Sequence, residues 1–435
     1  MKICVIGTGY VGLVSGACLA NLGNDVVCVD KDRSRITLLK KNTVPFYEPG
    51  LEEMVAKNSD AGRLSFTIDL KAAVKSSDVI FIAVGTPAKE NGEADVSAII
   101  DVAEKIAASL KSSNKKEYTV IVNKSTVPVG MGDIVTEILT KKGASKKNFA
   151  VVSNPEFLRE GSAISDFMSP DRIVIGASDN RASNLITELY RPLNAHIIFT
   201  TIKSAELIKY ASNAFLATRI SFINEIANIC EKVGSDVTEV AYGMGLDKRI
   251  GHAFLNAGIG YGGSCLPKDV SALVHLARGS GYEPMILDSV GELNQFQRES
   301  FIAKMIKVLG KLEGKKIAIL GLSFKPETDD LREAPSIDIV RELGRRKAKV
   351  KAYDPAVKAK KVGKLFGNIK FCKSSYEAIK GSDAVAILTE WDEFRELDLA
   401  KVKSLLKKPV IFDGRNIYNP RKMRELGFKY VGVGR

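Results

Sequence analysis

The sequence predicts an α/β protein in which two doubly wound sheet domains are joined by a central helical region with one long helix. Three observations predict this fold. Short β-rich runs alternate with helical stretches over the first two hundred residues, the same alternation reopens at Gly314, and a long helical pattern lacking proline and glycine lies between them. A chain of 435 residues is also too long for one hydrophobic core. We therefore expect three domains, at residues 1–203, 204–309 and 310–435.

The β/α alternation predicts a parallel sheet covered by helices on both faces in each outer domain. The first domain has candidate strands at Lys2–Ile6, Asp25–Val29, Val79–Ala83, Thr119–Val122, Ala150–Val152 and Arg172–Ile175. The last domain has candidate strands at Lys316–Leu320, Val350–Tyr353, Ala384–Leu388 and Val410–Phe412. The central region has long helices at Ser204–Val233 and Met285–Leu309, separated by a glycine-rich loop at Gly251–Asp269.

Composition and charge narrow the classes of partner. Hydrophobic residues make up 45% and charged residues 26% of the chain, which is typical of globular proteins. The net charge is +13, and the lysines are scattered without interleaved aromatic residues, in pairs such as Lys115–Lys116, Lys141–Lys142, Lys146–Lys147 and Lys315–Lys316. This pattern favours a solvated surface over a nucleic-acid site, although phosphate-bearing small molecules would also suit it.

The sequence also carries no pattern of a membrane segment, a signal peptide or a metal site. No apolar run reaches the roughly 20 residues of a membrane helix, and the first apolar run leads directly into a glycine motif. We expect a cytoplasmic protein without a membrane partner. The six cysteines and the three histidines, at positions 196, 252 and 275, lack metal-ligand spacing, so we expect no metal.

A dinucleotide site is predicted at the first turn from strand to helix. The first strand runs directly into Gly7-x-Gly9-x-x-Gly12 and then a helix. In such a turn the first glycine permits the tight bend, the second lets the backbone approach a pyrophosphate, and the third allows close helix–strand contact. The next strand ends at Asp30, 18 residues beyond Gly12, where a carboxylate can bind both ribose hydroxyls and repel a 2′-phosphate. The pattern favours NAD over NADP.

The loop from Phe254 to Asp269 contains the candidate nucleophile, Cys265. Four glycines in the loop allow the backbone to pack closely around a ligand. Pro267 suits the first turn of a helix, which would place Cys265 at a helix N-terminus, and Lys268 lies close by. Both features favour the thiolate. Asp269, four residues further on, would share the helix face with Cys265. The alternative is a buried structural cysteine, as we expect for the other five.

Other polar residues lie where strands end or where they interrupt an apolar helix. Glu156 and Glu160 suit proton transfer or sugar binding, although the same spacing occurs on solvated helix faces. Thr126 follows an apolar strand and would lie at the carboxyl edge of the sheet, where ligands bind. Lys209 and Asn213 are four residues apart on the long helix; a lysine there could hold an oxyanion or extend to the surface.

The last domain offers three cations that could bind phosphates. Lys325 and Arg332 follow its first strand, and Arg415 follows its final strand in the segment Asp413-Gly-Arg415. The alternative for each of them is an ordinary surface cation.

In this order, the segments resemble the UDP-glucose/GDP-mannose dehydrogenase family over essentially the whole chain. The resemblance implies a Rossmann domain that binds NAD, a central helical dimerisation region, and a second Rossmann-like domain that binds a UDP moiety. It also implies a homo-oligomer of at least two copies. The segments that carry it are Gly7–Gly12, Pro45–Pro49, Gly85–Pro87, Lys124–Pro128, Asn154–Gly161, Lys209 with Asn213, the loop around Cys265, and Lys325.

The same resemblance implies roles for individual residues. Cys265 resembles the nucleophile that forms a thiohemiacetal and then a thioester. Asp269, with Thr126 and a water molecule, resembles the acid/base centre. Lys209 and Asn213 resemble the groups that stabilise oxyanions at the reacting carbon.

Glu156 is similar to the residue implicated in thioester hydrolysis, and Arg249 to a residue that reaches the site of a neighbouring subunit. The positions that match cofactor contacts are Gly7, Gly9, Tyr10, Val11, Gly12, Asp30, Arg35, Thr86, Thr126, Glu160, Lys268 and Arg332. Those that match substrate contacts are Glu156, Phe157, Leu158, Arg159, Glu160, Lys209, Asn213, Arg249, Phe254, Leu255, Asn256, Ala257, Gly258, Gly262, Lys325 and Arg415.

The implied activity is a four-electron oxidation of the primary alcohol of a nucleotide sugar to a carboxylate, with two NADH per sugar. A covalent thiol adduct is needed because a free aldehyde has no alkoxide to expel the second hydride. The segments 254–258 and Ser264–Lys268 resemble the members that oxidise UDP-glucose to UDP-glucuronate, and Ser264 stands where members acting on N-acetylated sugars carry histidine.

Three alternatives remain open. Oxidation of GDP-mannose is the nearest one. A non-catalytic protein that holds NAD and a nucleotide sugar is a second, which intact Cys265, Lys209 and Asp269 argue against. A two-electron hydroxyacid dehydrogenase is a third, and it would need neither Cys265 nor the second sheet domain.

Overall fold

The computed structural model describes residues 1–112, 118–367 and 369–435, so the lysine pair at 115–116 lies outside the described residues. The described residues form two compact units, Met1–Ser212 and Asn213–Arg435. The boundary between these units falls inside the long helix, Ile202–Val233. The three-domain division at residues 203 and 309 stays a prediction.

The first unit is built on one sheet in the doubly wound order. In the described residues its strands are β1 (Lys2–Ile6), β2 (Asp25–Val29), β3 (Leu64–Thr67), β4 (Val79–Ile82), β5 (Thr119–Asn123), β6 (Phe149–Ser153), β7 (Ile173–Ala177) and β8 (Ile197–Thr200). The sheet order is β3-β2-β1-β4-β5-β6-β7-β8, so the order reverses between β1 and β4, where ligands bind in such folds. The helices are α1 (Tyr10–Asn21), α2 (Arg33–Leu39), α3 (Leu51–Asp60), α4 (Leu70–Ser76), α5 (Ser97–Ser112), α6 (Met131–Lys141), α7 (Ala163–Met168), α8 (Asn180–Tyr190) and the start of α9 (Ile202–Val233).

One strand pair of this sheet departs from the parallel arrangement. β6 and β7 are antiparallel, with Val152 opposite Ala177, and β8 is parallel to β7. An antiparallel neighbour begins at the edge of the sheet where the preceding strand ends, so the segment 154–172 need not cross the sheet. The segment with the candidate glutamates therefore starts and ends at the carboxyl edge of β6.

The second unit contains the rest of α9, a helical region and a second sheet. Its helices are α10 (Val237–Gly245), α11 (Leu266–Gly279), α12 (Met285–Leu309), α13 (Pro335–Arg345), α14 (Ala359–Phe366), α15 (Ser375–Ile379), α16 (Asp392–Arg395), α17 (Leu399–Leu405) and α18 (Pro420–Glu425). Its strands are β9 (Lys316–Leu320), β10 (Lys349–Tyr353), β11 (Lys370–Phe371), β12 (Ala384–Ile387), β13 (Val410–Asp413) and β14 (Lys429–Val431). All described strand pairs are parallel, in the order β11-β10-β9-β12-β13-β14.

Each sheet is buried on both faces, which explains why its strands are continuous apolar runs. In β1, Ile3 and Val5 pack in one cluster with Leu13 of α1. Cys4 and Ile6, which point to the opposite face, belong to a separate cluster that includes residues of α5 and α6. Two layers of helices therefore cover the central strands, as the β/α alternation predicts.

The predicted fold class is confirmed, with differences in detail. Four short strands (β3, β8, β11 and β14) were not predicted from the sequence, because two to four residues give little alternation to detect. The predicted loop Gly251–Asp269 ends early, since α11 begins at Leu266. Within the described part of the chain, no helix is both long enough and apolar enough to span a membrane.

Candidate active site

The glycine turn after β1 has the geometry predicted for a dinucleotide site. Gly7 has φ +102°, and a Cβ atom there would lie 2.5 Å from the carbonyl oxygen of Ala83. A Cβ atom on Gly12 would lie 1.9 Å from the carbonyl oxygen of Gly7, so the close contact between strand and helix requires glycine. Gly9 differs, because a Cβ atom there would meet nothing within 4 Å. It directly precedes α1, so a ligand can approach the backbone at the helix N-terminus.

Asp30 lies directly after β2 and accepts hydrogen bonds from the glycine turn. Its Oδ2 accepts from the Thr8 amide and the Thr8 hydroxyl, both at 2.8 Å, and lies 3.2 Å from the Arg35 guanidinium. Its Oδ1 accepts from the Asp32 amide at 3.0 Å. Partial burial alone would raise the pKa of Asp30, but these hydrogen bonds and Arg35 lower it below its usual value. A carboxylate held ionised beside an open glycine turn fits the ribose of NAD.

Tyr10, a predicted cofactor contact, has its hydroxyl bonded to Glu48, which the sequence analysis did not assign a role. Burial, followed by this hydrogen bond, raises the pKa of Tyr10, so its hydroxyl stays protonated and donates to Glu48. The Glu48 carboxylate, 7% exposed, also accepts from the amides of Gly161 at 2.6 Å and Ala163 at 2.7 Å. Glu48 thereby ties the start of α1 to the end of the segment 154–161. In the sequence, the only indication of a role for Glu48 was its position within the motif Pro45–Pro49.

Glu156 and Lys209 form a buried ion pair in the first unit. Lys209 Nζ lies 3.0 Å from Glu156 Oε1, and the two side chains are 4% and 5% exposed. The other carboxylate oxygen of Glu156 accepts from the Leu158 amide at 2.6 Å. Phe157 packs between cations, with the Arg172 guanidinium 3.8 Å and Lys209 Nζ 5.4 Å from its ring centroid. The sequence singled out Glu156 and Lys209 separately, and the fold brings them together.

Other predicted residues of this edge are more exposed. Arg159 is exposed and forms an ion pair with Asp166 at 2.6 Å, and Glu160 is half-buried. Thr126 is also half-buried, and its carbonyl accepts a hydrogen bond from the hydroxyl of Thr86 at 2.8 Å. The two threonines therefore meet at the carboxyl edge, after β4 and β5.

In the second unit, Cys265 is the residue directly before α11, which confirms the helix start predicted from Pro267. Cys265 is half-buried, whereas the other five cysteines are buried. Its carbonyl accepts from the Asp269 amide at 2.9 Å, and its Sγ lies 3.6 Å from Ser264 Oγ. Cys265 is therefore a partly exposed residue at the positive end of a helix dipole, where a thiolate is favoured.

Asp269 connects the cysteine segment to the long helix. Its side chain is 1% exposed; Oδ2 accepts from Asn213 Nδ2 at 2.6 Å, and Oδ1 pairs with Lys268 Nζ. A carboxylate so deeply buried needs such partners, because an unpaired buried charge is costly. Asn213, Lys268 and Asp269, all predicted site residues, thus form one cluster one turn from Cys265.

Three buried amide side chains hold the loop that leads to Cys265, and the sequence analysis missed all of them. Asn224 Oδ1 accepts from the Gly258 amide at 2.8 Å, and Gln297 Nε2 donates to the Gly258 carbonyl at 2.9 Å. Asn294 accepts from the Tyr261 amide at 2.8 Å and donates to the Tyr261 carbonyl at 3.1 Å. In the sequence, the only indication of this role was that these polar side chains occur among apolar residues of α9 and α12.

Glycines let this loop lie against the second sheet. A Cβ atom on Gly258 would lie 2.8 Å from the Gly414 carbonyl oxygen, and one on Gly262 would lie 2.2 Å from that of Glu333. Arg415 donates to the carbonyls of Leu388 at 2.9 Å, Gly260 at 3.1 Å and Phe324 at 3.3 Å, so its described contacts brace the loop. Substrate contact by Arg415 stays a prediction.

The remaining predicted substrate residues lie around this loop. Phe254 has φ +62°, an uncommon conformation for a residue with a side chain. Leu255 and Ala257 are buried, and Asn256 is exposed.

The other predicted cations of this unit differ in exposure. Lys325 is half-buried, with Nζ 5.7 Å from the ring centroid of Phe324. Arg332 is exposed and paired with Asp330, and the Arg249 side chain is 89% exposed and paired with Asp247.

The glycine turn of the second sheet has a different construction. Gly321 adopts φ +88°, like Gly7, but the next helix, α13, begins only at Pro335. Asp354, at the position equivalent to Asp30, is 3% exposed and accepts from the amides of Leu322 and Ser323. The segment 322–334, which contains Lys325, replaces the direct step from turn to helix. This turn therefore lacks the helix N-terminus that a pyrophosphate would use.

Family models match all three parts of the chain. Residues 1–194 match the NAD binding domain, residues 203–296 the central domain, and residues 318–420 the UDP binding domain of the UDP-glucose/GDP-mannose dehydrogenase family.

Known proteins resemble the chain over its full length. The UDP-glucose 6-dehydrogenase TuaD of Bacillus subtilis is 50% identical over 434 residues, covering 100% of this chain and 93% of the relative. A UDP-glucose 6-dehydrogenase of Rhizobium meliloti is 50% identical over 442 residues, covering 100% of both. The solved structure of a UDP-glucose dehydrogenase from the hyperthermophilic archaeon Pyrobaculum islandicum matches with a TM-score of 0.92 and 37% identity, covering 99% of this chain and 97% of that one. The chain therefore belongs to the UDP-glucose/GDP-mannose dehydrogenase family of NAD-dependent oxidoreductases.

Proposed function

We propose that this protein oxidises UDP-glucose to UDP-glucuronate, with two NAD⁺ consumed per sugar and Cys265 as the covalent nucleophile. The observation that carries this proposal is the half-exposed Cys265 at the N-terminus of α11, one turn from the buried cluster of Asn213, Lys268 and Asp269. The choice of UDP-glucose is supported by the relatives named above, which are 50% identical over the whole chain.

The chemistry begins with removal of the proton of the primary alcohol. Asp269, acting with Thr126 and a water molecule, takes this proton as the alcohol becomes an aldehyde. Bound NAD⁺ supplies the hydride acceptor for this oxidation and for the later one. The Cys265 thiolate then adds to the aldehyde carbon: the C–S bond forms as the carbonyl π bond breaks, and the oxygen takes the proton back from Asp269 to give a thiohemiacetal. In the second oxidation Asp269 removes this proton again as the carbon gives up its second hydride.

Lys209 and Asn213 stabilise the negative charge that develops on this oxygen. The second oxidation leaves a thioester on Cys265. Glu156 activates a water molecule, which breaks the C–S bond and releases the carboxylate together with a free thiol. Overall, one sugar alcohol, two NAD⁺ and one water give one carboxylate, two NADH and three protons, and the thiol of Cys265 is regenerated.

The binding residues follow from the same reasoning. The glycine turn with Tyr10 and Val11, together with Asp30, would hold NAD rather than NADP, and Arg35, Thr86, Glu160, Lys268 and Arg332 would line the rest of its site. The loop 254–258, Gly262 and Lys325 would hold the nucleotide sugar.

We also propose a homodimer formed through α9. Phe215, Phe222 and Ile229 recur every seven residues on this helix and are 61%, 45% and 50% exposed. A helix stripe of this kind is normally covered by another apolar surface. A second copy would cover it symmetrically, and the exposed Arg249 would reach the partner's site. The cytoplasmic location stays a prediction from the sequence.

The proposed reaction is tested by incubating the purified protein with NAD⁺ and either UDP-glucose or GDP-mannose. We expect NADH and a uronate from UDP-glucose, with two NADH per product measured by absorbance and mass spectrometry. Preference for GDP-mannose would assign the alternative substrate. Binding of both ligands without NADH formation would show a non-catalytic protein.

A further inference from the structure

A second buried lysine lies beside the Glu156–Lys209 pair and has no part in the chemistry described above. Lys124 is the first residue after β5 and is 5% exposed. Its Nζ donates hydrogen bonds to Asn154 Oδ1 at 3.0 Å and to the Tyr190 hydroxyl at 3.3 Å. Burying an ammonium is costly, so a lysine at this depth must be held by specific partners.

The partners of Lys124 fix the start of the segment that contains Glu156. The Tyr190 hydroxyl also donates to Asn154 Oδ1 at 2.7 Å, so the three side chains form a closed triangle. Asn154 donates through Nδ2 to the Val174 carbonyl at 2.8 Å and through its amide to the Asn123 carbonyl at 3.0 Å. Glu156 follows Asn154 by two residues, with Pro155 between them. The position of the Glu156 backbone is therefore set by a buried network whose cation is Lys124.

The charges of this region act on one another because little water separates them. Burial lowers the pKa of Lys124 to about 8, while Glu156 acts to raise it and Lys209 acts to lower it. The Lys124 ammonium therefore attracts the Glu156 carboxylate and repels the Lys209 ammonium across this buried region. The charged and titratable groups facing Lys124 are Glu156 after β6, Lys209 on α9 and Tyr190 on α8.

We propose that Lys124 is a positioning residue for catalysis, which fixes the Glu156 segment through Asn154 and Tyr190 and places a positive charge beside the Glu156–Lys209 pair. This inference rests on the roles proposed for Glu156 and Lys209. It makes a distinct prediction, because Lys124 is bonded to Asn154 and Tyr190 and would act on the reaction only through the pair.

The test compares Lys124→Met with wild type in steady-state assays from pH 6 to 10. A methionine keeps the length of the side chain but removes its charge and its donors. We expect kcat to fall by about 100-fold, the scale for a misplaced catalytic group, with the KM for NAD⁺ within about twofold of wild type. We also expect kcat of wild type to fall above about pH 8, where Lys124 loses its proton, and this alkaline limb to be absent in the variant.

Tyr190→Phe is the matched second variant, since it removes one acceptor and keeps the lysine. The ammonium is then less stabilised, so the alkaline limb of its kcat profile is expected at lower pH than in wild type. This arm keeps the proposal testable if Lys124→Met does not fold, as judged by circular dichroism.

The outcomes separate this inference from the proposed function. If wild type makes no NADH from UDP-glucose, the proposed function fails. If wild type is active and Lys124→Met keeps its kcat and pH profile, the positioning role is overturned. If Lys124→Met does not fold, an unshifted alkaline limb in Tyr190→Phe also overturns it.

Discussion

The buried Glu156–Lys209 pair allows structural and catalytic contributions of one residue to be separated. Lys209→Met leaves the carboxylate of Glu156 inside the protein without its partner at 3.0 Å. Removing one partner of a buried ion pair typically costs about 3–5 kcal/mol. We expect the lower end of this range, because the Lys124 ammonium still attracts the Glu156 carboxylate in this variant. For a unit of about 210 residues this corresponds to a fall in Tm of roughly 6–12 °C.

The measurement is a double-mutant cycle with Glu156→Gln, followed by calorimetry and steady-state kinetics. The double variant lacks both charges of the pair, so the stability losses of the two single variants are expected to be non-additive by at least about 1 kcal/mol. The kcat of the double variant, in contrast, is expected to stay about 100-fold or more below wild type, since it lacks the group proposed to stabilise the oxyanion.

Lys203→Met on the same helix is the matched control. Lys203 lies 3.3 Å from Asp133, but both side chains are more than 60% exposed. An exposed pair contributes about 0–1 kcal/mol, so this variant is expected to retain both stability and activity. Additive losses in the cycle would refute the buried pair, and an unchanged kcat with a raised KM would make Lys209 a binding residue only.

Three further predictions concern the cofactor, the pH dependence of stability and the dimer. Asp30→Ser is expected to weaken NAD⁺ binding by about 1–3 kcal/mol in calorimetric titration, because a charge-assisted hydrogen bond is lost; equal use of NADP⁺ by wild type would contradict the reading of Asp30. Burial raises the pKa of Glu206 to about 7, although hydrogen bonds from the amides of Gly130 and Gly132 act to lower it. The folded state therefore binds the Glu206 proton more tightly than the unfolded state does. As a result, the stability of the folded state falls as pH rises from about 4.5 to 7. The stability of Glu206→Gln, measured by urea unfolding, is expected to fall less than that of wild type over this pH range. The same pH dependence of stability in both proteins would rule this out. Phe222→Asp, on the exposed stripe of α9, is expected to be an inactive monomer in sedimentation. A fully active monomer, of wild type or of this variant, would exclude an active site shared between two copies.

The fold and the local motifs could be predicted from the sequence because they rest on short-range patterns. The apolar runs gave β1, β2 and β9 at their observed bounds, and Pro267 gave the start of α11. The glycine motif and Asp30 could be recognised because a single helix, α1, connects the two neighbouring strands that they follow, which sets their spacing.

Partnerships between distant residues could not be predicted in this way. Glu156 and Lys209 are 53 positions apart in the chain, and only the topology of the sheet and α9 brings their charges within 3.0 Å. The same holds for Glu48, whose partners lie at Tyr10 and Gly161, and for the amide side chains that hold the loop before Cys265. The sign of these contacts in the sequence was a polar residue within an apolar helix for the amides and the motif Pro45–Pro49 for Glu48, and neither sign identifies the partner.

The central claim is that Cys265 is required for the second oxidation but not for the first, and counting NADH against UDP-glucuronate in Cys265→Ala tests it most directly. The variant keeps the glycine turn, Asp30 and the Asp269 cluster, so UDP-glucose and NAD⁺ are expected to bind nearly as in wild type. Without the thiol the aldehyde cannot form the tetrahedral adduct, so we expect at most about one NADH per sugar and no carboxylate, against two NADH per sugar in wild type. Carboxylate production by Cys265→Ala at the wild-type rate, with two NADH per sugar, would contradict the account.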